Sequence, residues 1–311
     1  MKIVSGLDAW HPGLAANPVF TVGVFDGVHR GHRQLLYELG NWARAADGAP
    51  GILTFSRHPL KVLRDIDVPQ ILTLENRLVE LERNGVAVAV VIDFAAIREL
   101  TAERFLKDVV RDRLSCRRFL LGFDSAVGKD RTGDAGELVR LGTDAGVEVR
   151  IASKVLDQEG NKIGSSAIRA AVRNGDLARA ANLLGRPFSL RGPVVRGEGR
   201  GANLGAATAN VSIAGCVLPP DGVYLVRVFR GETTAAGVAN LGVRPTFEDG
   251  RGRTLEVHVP GWVGEMYGDL LEVRFGRRLR PEIKFENADA LRAQIRQDLE
   301  ALAQAVEVGE V

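Results

Sequence analysis

Phe25-Asp26-Gly27-Val28-His29-Arg30-Gly31-His32 is the stretch on which the reading of this chain turns. It closes the apolar run Val19 to Phe25 (VFTVGVF), which reads as a buried strand. It opens a stretch, Gln34 to Ala46, that carries Leu35, Leu36, Leu39 and Ala43 at helical spacing. His29 and His32 are three residues apart, so at the start of a helix they project from adjacent positions on one face. Gly27 and Gly31 let the backbone turn tightly and approach a ligand closely. The first turn of a helix offers N–H groups and a partial positive charge, which suits phosphate. Two imidazoles there add donors that can stabilise charge building on a leaving phosphate. Either histidine alone would be ordinary surface polarity; a strand, a glycine turn, paired imidazoles and a helix together are not.

Outward from this segment the chain alternates strand-like and helix-like runs. Gly51 to Phe55 (GILTF) is a short strand, and Leu74 to Asn84 is helical with Leu74, Leu78 and Leu81 on one stripe. Val86 to Ile92 is apolar on both faces, as a covered central parallel strand should be. Thr101 caps a helix running through Arg113, with Glu103 in its first turn. Arg118 to Gly122, Gly136 to Ala145 and Val147 to Ala152 continue the pattern. Two short helices follow, one after Ser165-Ser166 and one from Asp176 to Leu184, stopped by Gly185 and Pro187. The expectation is a doubly wound α/β domain with a Rossmann-like parallel sheet, binding ligands at the carboxyl ends of its strands. From Phe188 the texture changes to short β runs (GVYLVRV, AAGVANLG, TLEVHV, LLEVRF) separated by Gly, Pro, Asp and Arg. These predict a small antiparallel β-barrel, followed by an amphipathic helix from Asn287 to Val306. The expected domains are residues 1–186 and 187–311.

Composition narrows the function classes. A chain of 311 residues exceeds the roughly 250–300 at which a single core stops growing, in keeping with two domains. Hydrophobic residues at 45% and charged residues at 26% are those of a globular protein. A net charge of +2 creates no field for nucleic acid. The two cysteines, Cys116 and Cys216, are neither a disulfide framework nor a metal spacing. With no signal core and no apolar run of membrane length, a cytoplasmic protein without membrane or nucleic-acid partners is expected. Any self-association is expected to be weak.

The segment TVGVFDGVHRGH resembles the HxGH signature of the nucleotidyltransferase superfamily, and more closely the bacterial bifunctional riboflavin kinase/FMN adenylyltransferase (FAD synthetase) family. The likeness continues through LTFSRHP, GKDRTGD, GSSAIRAAVRNGD and NLLGRPF, then GVANLGVRPTF, LEVHV, YGDLLEVRF and QIRQDLEAL, in order and at family spacing. The resemblance implies a transferase in FAD biosynthesis. It would phosphorylate riboflavin to FMN and adenylate FMN to FAD, with ATP as co-substrate, Mg²⁺ as the metal and pyrophosphate as a product. His29 and His32 would then hold the triphosphate, with Gly23, Phe25, Asp26, Gly27 and Gly31 shaping their turn. Asp26 reads as a turn and helix-start residue rather than a base. Ser165, Ser166 and Arg169 would form a second phosphate element, a capped helix start with a forked guanidinium one turn in. His58 and Asp124 would lie on the same rim of the sheet. Where the family carries aromatics after Asp124, this chain has Ser125 and Val127, which removes flat surface that could face a ring.

In the second half the resemblance makes Glu256 the base that accepts the riboflavin hydroxyl proton. Strand alternation places Leu255, Val257 and Val259 inward and Glu256 and His258 on the other face. Thr208 and Asn210 would hold Mg²⁺ and phosphate, next to Gly205. The family loop is roughly G-R-x-L-G-F-P-T-A-N, and this chain reads Gly201-Ala202-Asn203-Leu204-Gly205-Ala206-Ala207-Thr208-Ala209-Asn210. Its Arg, Phe and Pro are replaced by alanine, with Arg200 one step earlier as a substitute cation. Two alternatives follow from that departure: a single-activity FMN adenylyltransferase with an impaired kinase module, or a flavin-binding regulatory protein.

Overall fold

A computed structural model describes residues 1–125, 127–129, 135–196, 208–243, 252–262 and 266–311. Compactness divides the chain into Met1–Ser165 and Ser166–Val311.

In the first unit the strands are β1 (Lys2–Ser5), β2 (Val19–Val22), β3 (Pro50–Phe55), β4 (Val88–Ile92), β5 (Arg118–Leu121) and β6 (Glu148–Ile151). They form a parallel sheet in the order β1-β4-β3-β2-β5-β6. The central strands are apolar on both faces because both faces are covered. Phe20, Leu53, Val90 and Phe119 join one core; Val19, Ile52, Ala89 and Leu120 join the other. Onto the second core pack α1 (Arg30–Ala45), through Leu35, Leu36 and Leu39, and α3 (Leu74–Arg83), through Leu78 and Leu81. Burying each such leucine is worth roughly 2 kcal/mol. A short helix α2 (Pro59–Arg64) precedes α3. The first core is covered by the segment from Ala102 to Arg113 and by α5 (Ala135–Ala145).

Two expectations need correction. The run after Thr101 is not one α-helix. Thr101 does cap it, accepting from the Arg104 N–H at 3.2 Å. After α4 (Ala102–Arg104), however, it widens into a π-helix over Phe105–Arg113. Its buried residues Phe105, Leu106, Val109, Val110 and Leu114 recur every four to five positions. That spacing is wider than the 3.6 of an α-helix, and the wider coil keeps them all on the core. The strand read as Val19 to Phe25 stops at Val22, because Phe25 takes a left-handed φ of 54° that no strand accommodates.

Strand β2 is bonded to β3 on one side and to β5 on the other. The direction of winding reverses there, which opens a crevice at its carboxyl end.

The second unit opens with α6 (Ser165–Arg173), whose first residue closes the first unit, and α7 (Leu177–Leu184). Asp176 caps α7 and Gly185 ends it at φ 71°. Strands β7 (Ser189–Val195), β8 (Thr208–Val211), β9 (Gly222–Arg230), β10 (Thr233–Val243), β11 (Arg253–His258) and β12 (Leu270–Arg280) close into a barrel. The order is β10-β11-β8-β7-β12-β9. Leu190, Val211, Leu255, Val257 and Val273 are among its buried residues. Helix α8 (Ala288–Glu307), capped by Asn287, packs Leu302 and Ala305 against Leu225. Arg280 also forks onto Asp298 of this helix, with Nε–Oδ1 3.0 Å and Nη2–Oδ2 2.7 Å.

Candidate active sites

The turn between β2 and α1 is built from left-handed backbone. Phe25 (φ 54°), Gly27 (83°) and Val28 (39°) all lie in that region. For Val28 this is unusual for a β-branched residue, and its side chain is fully buried, which holds it there. The Val28 N–H donates to the Phe25 carbonyl at 3.0 Å and closes the turn. At Gly27 a Cβ would sit 3.0 Å from Ile71 Cδ1, so glycine is required on two counts. His29 then caps α1: its Nδ1 accepts the His32 backbone N–H at 3.3 Å. Gly31 lies inside the helix rather than in the turn proper. A Cβ there would meet the His29 ring at 3.3 Å, so Gly31 makes room for the imidazole instead of bending the chain.

The two imidazoles stack, with centroids 3.6 Å apart and planes 17° from parallel, and Phe25 packs on His32 at 5.2 Å. His29, Gly31 and His32 line a cleft of about 240 Å³ together with Gly23, Phe25 and the loops after β5 and β6. Because Nδ1 of His29 accepts a hydrogen bond, its neutral tautomer carries the proton on Nε2, where it can donate to a ligand. His32 is half-buried, but its Nδ1 is sealed and has no hydrogen-bond partner. Burial pushes its pKa well below the usual imidazole value, and the charges of His29 and Arg77 push it further. At neutral pH His32 is therefore uncharged, a polar donor rather than a cation.

Beneath the turn, Asp26 is 3% exposed, and its carboxylate accepts the N–H groups of Ile71 (2.9 Å) and Leu72 (3.0 Å). Its carbonyl accepts the hydroxyl of Ser165, the last residue of the first unit, at 2.9 Å. Asp26 thus pins the turn to the segment ahead of α3, while the cap of α1 is His29. Arg77 was not anticipated. It lies on the apolar stripe of α3 between Leu74 and Leu78, and a cation on that stripe was the available signal.

On the cleft rim Asp124 pairs with Lys162, and Ser125 lines the wall. Val127 instead packs on the core beneath the sheet. The aromatic surface missing at positions 125 and 127 is present at Phe123, which lines the cleft. Lys154 and Lys162 lie within 5.7 Å and 5.6 Å of its ring. Phe123 and Lys162 were not singled out from the sequence. Ser165 lines the cleft; Ser166 and Arg169 follow on α6 in the second unit, with Arg169 8% exposed. His58 does not line the cleft. It caps α2, its Nδ1 accepting the Leu60 N–H at 3.2 Å, because β3 carries it to the other side of β2.

In the barrel, register brings distant residues side by side. Glu256 on β11 stands opposite Asn210 on β8 and Asn240 on β10, while His258 stands opposite Thr208 and Val238. Paired residues share a face, so Thr208, Asn210, Asn240, Glu256 and His258 form one polar patch. Leu255, Val257 and Ala209 turn inward. Thr208 and Asn210 supply a hydroxyl and an amide oxygen, with the Glu256 carboxylate adjacent in register. This all-oxygen set fits Mg²⁺. Gly205 and the alanine-substituted part of its loop, 201–207, lie outside the described residues.

A sequence profile for FAD synthetase matches residues 12–167, and one for riboflavin kinase matches residues 184–306. The chain is 35% identical over 301 residues to the bifunctional riboflavin kinase/FMN adenylyltransferase of Escherichia coli strain K12, spanning 96% of each. It is 34% identical over 304 residues to the protein of the same name from Pseudomonas fluorescens, spanning 97% of this chain and 96% of that one. The crystal structure of a macrolide-efflux protein from Streptococcus pneumoniae superposes with a TM-score of 0.83 at 29% identity. That match covers 97% of this chain and 99% of the other. Among the described residues no helix is long and apolar enough to cross a membrane.

Proposed function

The chain belongs to the bifunctional riboflavin kinase/FMN adenylyltransferase family, and from that premise we propose that it makes FMN from riboflavin and FAD from FMN, spending one ATP in each step. The observation that carries the reading is the stacked His29–His32 pair, seated on a cleft where a buried strand feeds a helix.

The functional modules are read as residues 1–186 and 187–311, acting in the cytoplasm. In the first, a terminal phosphate oxygen of FMN attacks the α-phosphorus of ATP. The bond to the β-phosphate bridging oxygen breaks and pyrophosphate leaves. No covalent enzyme intermediate is needed, so catalysis rests on positioning and on stabilising charge. His29 donates from Nε2 to the phosphate chain, and His32, itself uncharged, offers a second donor beside it. The start of α1 adds its dipole. Ser165 and Ser166 orient the leaving phosphates and Arg169 binds them. In the second module Glu256 accepts the proton of the riboflavin 5′-hydroxyl as that oxygen attacks the γ-phosphorus and ADP departs. Thr208 and Asn210 would hold Mg²⁺, which when bound offsets the negative charge of the ATP phosphates.

The test is direct turnover. Purified chain with Mg-ATP should convert riboflavin to FMN and supplied FMN to FAD, resolved by chromatography. Absence of both products would overturn the reading. A second reading, a single-activity FMN adenylyltransferase, is favoured by Ala202, Ala206 and Ala207, where the family loop has Arg, Phe and Pro. It predicts FAD from FMN but no FMN from riboflavin.

A further inference from the structure

Arg77 is 5% exposed, on a helix face otherwise used for leucine packing. Burying a guanidinium is costly unless its donors are used, and an aliphatic residue of similar length would fill the same volume. Two of its arms are used in a specific way. Nη1 donates to the Val24 carbonyl at 2.7 Å and Nη2 to the Phe55 carbonyl at 2.6 Å. Thr54 adds a long hydroxyl contact to the same Val24 carbonyl, at 3.5 Å. Val24 is the last residue before the left-handed Phe25, and Phe55 is the last residue of β3. Nearby, Asp26 ties the other side of the turn to Ile71 and Leu72, just ahead of the helix that carries Arg77. Asp26 and Arg77 also attract each other electrostatically. The peptide entering the histidine turn is thus held by a planar fork from one side and a carboxylate from the other.

We propose that Arg77 is a positioning residue for adenylyl transfer, fixing the entry of the Phe25–His29 turn by bridging the ends of β2 and β3 so that His29 and His32 keep their donors on the phosphate chain. The inference rests on the adenylyltransferase reading of the cleft. A turn of strained backbone relaxes when its entry peptide is released, and displacement of catalytic donors by about 1 Å can cost on the order of a hundredfold in rate. Substrate binding draws on the rest of the cleft, so the loss falls on kcat rather than on KM.

The test compares Arg77→Met and Arg77→Lys in the full chain. FAD formation is followed over a range of Mg-ATP and FMN concentrations. Denaturant unfolding monitored on the first unit gauges whether that unit is folded, and riboflavin phosphorylation in the same samples controls for the amount of chain. Arg77→Met is expected to lower kcat for FAD formation about a hundredfold, with KM for FMN and ATP within about threefold of wild type. Arg77→Lys, which keeps the charge and one of the two bridges, should recover about tenfold of that loss. Riboflavin phosphorylation should be unchanged in both. The proposal is overturned if folded Arg77→Met retains kcat within about twofold of wild type, or if its defect lies in KM alone. Should Arg77→Met fail to fold, Arg77→Lys decides: a kcat loss of about tenfold supports the bridge, and kcat within about twofold of wild type rejects it. Wild-type protein that makes no FAD from FMN would sink the parent reading instead, a result separable from any behaviour of the variants.

Discussion

The histidine turn and the polar patch on the barrel are assembled on opposite principles. At the turn, His29, Gly31 and His32 are near neighbours in sequence, and their geometry is set by backbone: three left-handed residues, a capping imidazole and a carboxylate beneath. On the barrel, Glu256 meets Asn210 and Asn240 only because three strands share a register, and the backbone there is ordinary extended ladder. A site made by local strain depends on the peptides around it, whereas a site made by register depends on the side chains placed upon it. Substitutions that disturb backbone should therefore damage the first site more than the second.

The largest effect is expected on the barrel. Glu256→Gln keeps the shape and the ladder but removes the base, and should lower riboflavin phosphorylation by about 10³-fold while FAD formation from supplied FMN continues. Equal loss of both activities would contradict two independent constructions. At the turn, His29→Ala removes both a donor and a helix cap, and should lower FAD formation by about 10²-fold. His29→Asn preserves the cap, so it should match the alanine variant in turnover yet melt closer to wild type by roughly 1 kcal/mol. Identical melting of the two would show that capping contributes nothing there.

Asp26→Ala should destabilise the first unit by about 2–3 kcal/mol, because it leaves two buried N–H groups without their acceptor. Denaturant unfolding monitored on that unit measures it, and a loss confined to the barrel would count against the pinning role. The smallest effect concerns pH. His32 has a folded pKa held below its unfolded value, so below about pH 6.5 the unfolded chain binds the proton the native state refuses. Stability should be full above that pH and decline as pH falls beneath it. His32→Gln should flatten the slope of melting temperature between pH 7 and pH 5; an unaltered slope would assign the acid sensitivity elsewhere.

Much of this is legible in the sequence. The strand-and-helix alternation, the barrel texture after Phe188 and the strand–DGVHRGH–helix segment all follow from short-range periodicity and turn chemistry. Strand β1 was not visible because Lys2–Ser5 is brief and mostly exposed, with Val4 alone buried. Arg77 was not singled out from the sequence, since hydropathy does not report which carbonyls lie beneath a helix. His58 follows the carboxyl end of β3, on the rim where it was expected, but β3 lies on the other side of β2 from the cleft, and the residue caps α2.

The chain's own letters were enough for the two architectures, the paired-imidazole turn and the inward–outward alternation of β11, because each depends on interactions spanning a few residues. Three-dimensional packing decided that Phe123 and Lys162 flank the cleft, that Arg77 bridges two strand ends, and that Glu256 faces two asparagines. Those outcomes depend on which strands become neighbours and in what register. That choice is made by burying both faces of a sheet at once, and no local run of sequence specifies it.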